Sequence, residues 1–242
     1  MKIKAIISVF FALFCVSTNS DATSVLVSSP HYYGYGVGDS SYGNFTAALN
    51  TATGNNVFFA NDFSDLSQLM GYDALLLQLR YESNSLSSTE ISNLNTFISA
   101  GKKVLMIGEN ENWNTWNQSI LSVTGGTNLS NGLAYIPTTK VLNNELTSGA
   151  DNLMLVYPGQ ISGGTSLYDY NFAALSGASQ NALIVFDANV FEDGYWTYYN
   201  SGQFATNVAY WLAGSHPVPE PSTMLLLGFS ILGLAGARRF RK

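Results

Sequence analysis

The chain has 242 residues, with 10 basic and 16 acidic side chains and a formal net charge of −6. Its single cysteine, Cys15, lies in the first apolar run, which leaves the rest of the chain without a thiol for catalysis, disulfides or metal binding. Residues 23–214 carry four basic residues against 14 acidic ones. The resulting charge of −10 argues against nucleic acid as a partner, because phosphate groups would be repelled.

Residues 1–22 have the zones of a secretory signal peptide. Lys2 and Lys4 come first, the apolar run from Ala5 to Val16 follows, and Ser20-Asp21-Ala22 supplies small residues at a cleavage site. The pattern predicts cleavage by signal peptidase after Ala22 and export of the mature chain.

Residues 23–214 are predicted to form one domain. Six short apolar runs in it are typical of strands buried on both faces of a parallel sheet: Val25–Val27, Val57–Phe59, Ala74–Leu77, Val104–Ile107, Leu153–Val156 and Leu183–Phe186.

Helical patterns separate these runs. Ser87 and Glu90 form a capping-box pattern ahead of an apolar stripe, and Phe204 to Leu212 carries a second stripe. Weaker helical patterns cover Asn44–Ala52 and Trp113–Leu121. The alternation predicts a doubly wound α/β domain with a mainly parallel, flavodoxin-like sheet.

The tail after Gly214 combines a proline-rich stretch, an apolar segment and a basic cluster. Met224 to Ala237 is 14 residues long, and such a helix spans roughly 21 Å of a hydrocarbon core about 30 Å thick. We therefore expect a short C-terminal transmembrane helix that holds the chain in the inner membrane, with the basic residues in the cytoplasm.

The order of these parts resembles the PEP-CTERM sorting signal of exported Gram-negative proteins. In that family an exosortase recognises the tail and processes it near the Pro-Glu-Pro triplet. The resemblance implies that residues 215–242 are a sorting signal and that exosortase is a processing partner. It assigns recognition to Pro219, Glu220, Pro221, Arg238 and Arg239. An ordinary membrane anchor behind a proline-rich linker is the alternative.

The domain itself resembles the class I glutamine amidotransferase-like fold. Phe97–Asn110 is similar to the helix, strand and turn that lead to the family's nucleophile elbow, and Leu183–Asn189 with Gln203–Leu212 is similar to the last strand and helix of its non-catalytic members. Active members place a cysteine at the elbow, where this chain has Glu109 or Asn110. The resemblance therefore implies a domain without amidotransferase activity.

Polar residues that follow the predicted strands are the candidate ligand rim, because ligands of open α/β sheets bind beyond the carboxyl ends of the strands. The candidates are His31, Tyr32, Glu109, Asn110, Asp187, Asn189, Glu192 and Asp193. Oxygen ligands could hold Ca²⁺, with Glu109, Asp187 and Asp193 as the candidates. Sugar binding is a second possibility, and ordinary turn formation by Asn and Asp is the third.

Aromatic residues support a contact surface near this rim. All 14 tyrosines and all four tryptophans lie in residues 23–214, with clusters at Tyr32–Tyr35 and Tyr195–Tyr199. These side chains combine a flat apolar face with a polar group, which suits ligand contact, and ordinary packing beneath a long loop is the alternative. Three Asn-x-Ser/Thr sequons, at Asn44, Asn117 and Asn128, are further candidates for glycosylation.

Together these features predict an exported bacterial surface or envelope protein. Its domain would be catalytically inactive, would need no cofactor unless Ca²⁺ binds, and would act by binding or within an extracellular matrix. The sorting family implies exopolysaccharide or biofilm as the surroundings and polysaccharide as a partner. The alternative is an extracytoplasmic carbohydrate-active hydrolase, with rim carboxylates such as Glu109 and Asp187 as its acid and base.

Overall fold

The structure, a computed structural model, describes residues 23–129 and 134–215. The predicted signal peptide and the predicted sorting tail, with its proposed recognition residues and apolar segment, lie outside this range. In the described part of the chain, every helix is too short or too polar to cross a membrane.

Eleven strands and five α-helices are present in the described residues. The strands are β1 (Val25–Ser28), β2 (Val57–Ala60), β3 (Ala74–Leu77), β4 (Lys103–Gly108), β5 (Thr127–Asn128), β6 (Tyr135–Thr139), β7 (Asn152–Val156), β8 (Ile161–Ser162), β9 (Thr165–Ser166), β10 (Ala173–Ser176) and β11 (Ala182–Phe186). The helices are α1 (Gly43–Thr53), α2 (Leu66–Met70), α3 (Ser88–Ser99), α4 (Asn114–Leu121) and α5 (Ser201–Leu212).

A mostly parallel, seven-stranded sheet forms the centre of the molecule. Its order is β2-β1-β3-β4-β11-β10-β9, and the first five of these strands are parallel. Counted along the chain, the parallel strands have the order 2-1-3-4-5, which is that of flavodoxin-like sheets. The prediction of an α/β domain with a mainly parallel sheet is confirmed.

The inner strands are apolar because they are covered on both faces. Every residue of β1, β3 and β11 is buried, and the rings of Phe45, Phe191 and Phe204 pack above them as one fully buried group. Strand β2 lies at the edge, and its Phe58 and Phe59 are exposed.

One predicted strand lies outside the parallel sheet. The apolar run Leu153–Val156 belongs to β7, which pairs antiparallel with β6 in a separate two-stranded sheet. Its place beside β11 is taken by β10, which runs antiparallel to it. The assignment to the parallel sheet was therefore wrong: a buried apolar run does not by itself identify its partner strand.

The two ends of the described domain meet at the amino-terminal edge of the parallel strands. The Thr23 hydroxyl donates a hydrogen bond to the Ala213 carbonyl at 2.5 Å. Both residues share a surface hollow with Asp73 and Lys103, which stand at the beginnings of β3 and β4. The carboxyl ends of the same strands lie at the opposite pole.

Candidate functional site

A cleft of about 330 Å³ opens at the carboxyl ends of the parallel strands. Its walls come from the loops after β1, β3, β4, β7 and β11, as expected for a binding site in an open α/β sheet. The lining residues are Tyr32, Tyr35, Leu79, Glu109, Asn110, Trp113, Val156, Tyr157, Asn189 and Tyr195.

Aromatic rings make up half of this lining. Tyr32 stands at the centre of one wall, with its ring centroid 5.3 Å from that of Trp113, edge to face, and 5.7 Å from that of Tyr35. Tyr157 and Tyr195 come from other loops and complete the walls. The cleft therefore presents flat apolar surfaces with hydroxyl and indole groups at their edges.

The loop after β1 is fixed in place by hydrogen bonds to the neighbouring strand end. The Tyr32 amide donates to the Leu79 carbonyl at 2.6 Å. The buried Gln78 side chain donates to the Ser28 carbonyl and accepts from the Val37 amide. This bracing holds the Tyr32 wall against the end of β3.

Trp113 and Tyr157 are held with similar firmness. The indole N–H of Trp113 donates to the Arg80 carbonyl at 3.0 Å. Tyr157 has a φ of 55°, a left-handed conformation that non-glycine residues rarely adopt. Two residues on, a Cβ at Gly159 would lie 2.5 Å from the Glu109 carbonyl oxygen, so only glycine lets this loop pass so close to the end of β4. The backbone of this loop is therefore closely fitted to the end of β4.

Two amides and one carboxyl group form the polar floor. Asn110 and Asn189 reach the cleft with side chains that are nearly buried, and the Asn189 amide nitrogen donates to the Val156 carbonyl at 3.0 Å. The Tyr35 hydroxyl lies 3.4 Å from the Asn189 amide oxygen. Glu109 lies between these groups at the end of β4.

Glu109, in the floor of the cleft, and Asp187, beneath it, form a buried carboxyl pair. Glu109 accepts hydrogen bonds from the backbone amides of Ala188 at 2.9 Å and Asn110 at 3.0 Å. Asp187 accepts from the amides of Val156 at 2.8 Å and Asn189 at 3.0 Å. The pair therefore ties the end of β4 to the loops after β7 and β11.

Burial controls the ionisation of both acids. Burial, followed by repulsion from Asp187, raises the pKa of Glu109 well above its ordinary value. Burial also raises the pKa of Asp187, to about 7, although backbone amides that donate to its carboxylate act in the opposite direction. Both acids are consequently far easier to keep neutral than a surface carboxylate.

The turn after β4 is closed by Asn117 of α4. The Asn117 amide nitrogen donates to the carbonyls of Glu109 at 2.6 Å and Asn110 at 3.1 Å, and its oxygen accepts from the Glu109 amide. Because this side chain is fully buried, a glycan on it is incompatible with the fold. The sequon at Asn117 is therefore structural, whereas Asn44 is exposed and Asn128 half-buried.

The structure gathers some of the predicted rim residues and separates others. Tyr32, Glu109, Asn110 and Asn189 line the cleft, and Asp187 lies beneath its floor. These positions follow β1, β4 and β11, so the strand-end argument located them.

Three other rim candidates do not line the cleft. His31 faces away and contacts the Ser29 carbonyl at 2.8 Å and the Asp39 carboxylate at 3.0 Å. Asp193 accepts a hydrogen bond from the Asn44 amide at 2.8 Å, at the beginning of α1. Glu192 is half-buried near Tyr35, where, after burial, it contributes to the rise of the Tyr35 pKa to about 12.

The calcium candidates are divided by this arrangement. Asp193 caps α1, away from the buried pair of Glu109 and Asp187. Within residues 23–129 and 134–215, no three His, Cys, Asp or Glu side chains are grouped so that they could hold a metal ion.

Sequence reasoning missed Trp113 and Tyr157 as site residues. Trp113 was assigned to a helix, yet it lies in a 3-10 turn before α4, and Tyr157 follows β7, whose place in the fold was misjudged. An aromatic residue within a few positions of a strand end was the available signal.

Residues 217–242 match the PEP-CTERM protein-sorting motif. The motif marks the chain as an exported, envelope-associated protein that an exosortase processes, and it confirms this part of the prediction. No match to a curated protein is found.

Solved structures give distant matches. The N-terminal domain of mmIFT52 has a TM-score of 0.61 at 12% identity, over 81% of this chain and 100% of that one. A protein from Bacteroides uniformis described as ThuA-like has a TM-score of 0.51 at 11% identity, over 78% of this chain and 90% of that one. At these identities the matches show a shared fold and nothing about activity.

The amidotransferase resemblance gains no support from a third match. A Thermoplasma acidophilum protein described as a GMP synthase component has a TM-score of 0.44 at 10% identity, over 79% of this chain and 94% of that one. This score is too low to carry an argument, so the resemblance stays a prediction.

Proposed function

We propose that the domain binds carbohydrate in the aromatic cleft, without catalysis, within the exopolysaccharide or biofilm matrix of a Gram-negative bacterium. The observation that carries this proposal is the convergence of Tyr32, Trp113, Tyr157 and Tyr195 from separate loops around two buried amides. Export and sorting are in keeping with it, because they deliver the chain to the envelope.

The chemistry of the lining suits sugars. Sugar rings have apolar faces that stack on aromatic side chains and hydroxyl edges that pair with amide and carboxyl groups. The cleft offers both kinds of partner, and its volume lies in the range of ligand pockets, about 300–1,000 Å³. Its aromatic walls are braced, so binding would order few side chains.

The carboxyl pair is built into the fold, which favours binding without catalysis. In both Glu109 and Asp187, each carboxyl oxygen accepts a hydrogen bond from a backbone amide. A general acid or base must reach the substrate within hydrogen-bond distance. Asp187 is fully buried and Glu109 is 3% exposed, so the fold leaves little of either group within reach of a substrate. A structural role at the cleft floor accounts for their burial.

Binding is tested with exopolysaccharide purified from the organism that makes the protein. Affinity electrophoresis of the mature protein measures the dissociation constant. Trp113→Ala should raise this constant at least about tenfold, since hot-spot aromatic residues contribute more than about 1.4 kcal/mol to binding. Tyr33→Ala is the matched control, because Tyr33 is 86% exposed and does not line the cleft. The proposal would be contradicted if the polysaccharide retarded the two variants equally, or if it did not retard the wild-type protein at all.

The hydrolase alternative is favoured by one observation, the raised pKa of Glu109, which is a property of general acids. It is tested by assaying reducing ends released from the same polysaccharide. We expect none. Release that is abolished by Glu109→Gln and kept by Tyr33→Ala would establish the hydrolase instead.

A further inference from the structure

A second hollow adjoins the cleft on the side of Tyr157 and Tyr195. It has a volume of about 530 Å³ and is open to solvent. Its lining residues are Tyr135, Met154, Thr197, Tyr198 and Tyr199. Three of these five side chains are tyrosines, so its composition repeats that of the cleft.

Two pairs of rings join the hollows. Tyr135 of the second hollow lies 5.4 Å, centroid to centroid, from Tyr157 of the cleft. Tyr198 of the second hollow lies 5.9 Å from Tyr195 of the cleft, edge to face. The tyrosines of the second hollow therefore contact Tyr157 and Tyr195, which line the cleft together with Tyr32.

These rings are not needed to cover the core. Tyr135 is 53% exposed, Tyr198 48% and Tyr199 61%, whereas Tyr42 and Tyr168 of the interior are fully buried. Adjoining exposed aromatic side chains are characteristic of interaction surfaces rather than of an ordinary solvated face.

The charges around the two hollows favour a neutral polymer over an acidic one. Within the described residues, neither hollow is lined by a basic side chain. Arg80 is paired with Glu90 at 3.0 Å and Lys140 with Asp151 at 2.5 Å. Lys102 and Lys103 donate to backbone carbonyls at the opposite edge of the sheet. An acidic polymer would therefore find no basic side chain in either hollow to pair with its charges.

We infer that the cleft and the second hollow together bind a stretch of a neutral polysaccharide chain, with one or more sugar units in each hollow. This inference rests on the proposed function and names its ligand class. Trp113 and Tyr32 would hold one part of the chain, and Tyr135 and Tyr198 would hold the continuation.

The inference is tested by chain length. The neutral fraction of the producing organism's exopolysaccharide is separated from the acidic fraction by anion exchange and partially hydrolysed to disaccharides and octasaccharides. With the mature wild-type protein, we expect calorimetry to give at least about tenfold tighter binding of the octasaccharide, equivalent to about 1.4 kcal/mol.

Variants assign that gain to the second hollow. Tyr198→Ala should remove the advantage of the octasaccharide and leave disaccharide affinity within about twofold. Trp113→Ala should weaken both, and Tyr33→Ala should change neither. Thermal unfolding of each variant verifies that the fold is intact.

The outcomes separate the two proposals. If no fragment binds to the wild type, the proposed function fails and the inference falls with it. If both fragments bind equally, or Tyr198→Ala keeps the length dependence, only the extended surface is disproved. Tighter binding of the acidic fraction would overturn the assignment of a neutral ligand.

Discussion

Glu109 and Asp187 are buried carboxyl groups whose folded-state pKa values are raised. The ordinary pKa of an Asp side chain is 3.8, and below that pH the Asp187 carboxyl group is protonated in both the folded and the unfolded chain. As the pH rises, the unfolded chain loses the proton first, and the folded chain keeps it up to about pH 7. The contribution to stability is therefore complete in acid and is lost as the pH rises through the folded-state pKa.

We predict that the free energy of unfolding falls between about pH 4 and pH 7. The drop from Asp187 should be on the order of 2–4 kcal/mol, from a shift of about three pKa units. Urea denaturation at both ends of this range measures it, and Asp187→Asn should shrink the drop whatever its effect on absolute stability.

Asp62→Asn is the control for that measurement. Hydrogen bonds from Ser64 lower the pKa of this exposed carboxylate, so it titrates below the window. A wild-type stability that stays flat or rises from pH 4 to pH 7, or an equal drop in Asp187→Asn, would show that the buried pair does not control the pH dependence.

The same residues show how far a sequence can locate a site. Glu109, Asn110 and Asn189 were found because strand ends of a parallel sheet share one edge. Asp193 follows the same strand as Asn189, but a 3-10 turn carries it to the beginning of α1. Side-chain direction in a loop depends on contacts that are distant in the chain, and no local pattern encodes them.

Helix α3 begins as its sequence predicts. The Ser87 hydroxyl accepts from the Glu90 amide at 3.2 Å, and the Glu90 carboxylate accepts from the Ser87 amide at 2.9 Å. Glu90 also binds Arg80 at 3.0 Å, so the capping box fixes the partner of the one buried arginine in the described residues.

Removal of this cap should destabilise the protein. For Ser87→Ala we expect a loss of about 1 kcal/mol in the free energy of unfolding, measured by urea denaturation. Ser92→Ala, on the exposed side of the same helix, should change it by less than about 0.5 kcal/mol. Similar effects of the two substitutions would mean that the box contributes nothing beyond helix propensity.

Strands were predictable only in part. The four inner parallel strands, β1, β3, β4 and β11, are continuous apolar runs because helices and loops cover both faces of the sheet there. Strand β7 has the same composition but pairs with β6, and strands β9 and β10 were not predicted. The path of the connecting loops determines which strand an apolar run pairs with, and the apolar content of the run does not predict that partner.

The mature form of the whole molecule is open to direct measurement. The intact mass of protein recovered from its native organism should lack residues 1–22 and everything beyond the Pro-Glu-Pro region. Replacement of Pro219 and Pro221 by alanine should leave the tail attached, because the exosortase motif is then lost. A wild-type mass that includes Met224 to Lys242 would identify the tail as a plain membrane anchor.

The hydrogen bond between Thr23 and Ala213 holds the two ends of the described domain side by side. Both chain ends leave the domain from the amino-terminal pole of the parallel strands, whereas the aromatic cleft opens at the carboxyl pole. Any attachment made through the residues after Ser215 therefore pulls on the pole opposite the cleft. A molecule tethered in this way would present the tyrosines of the cleft on the side that faces away from the attachment.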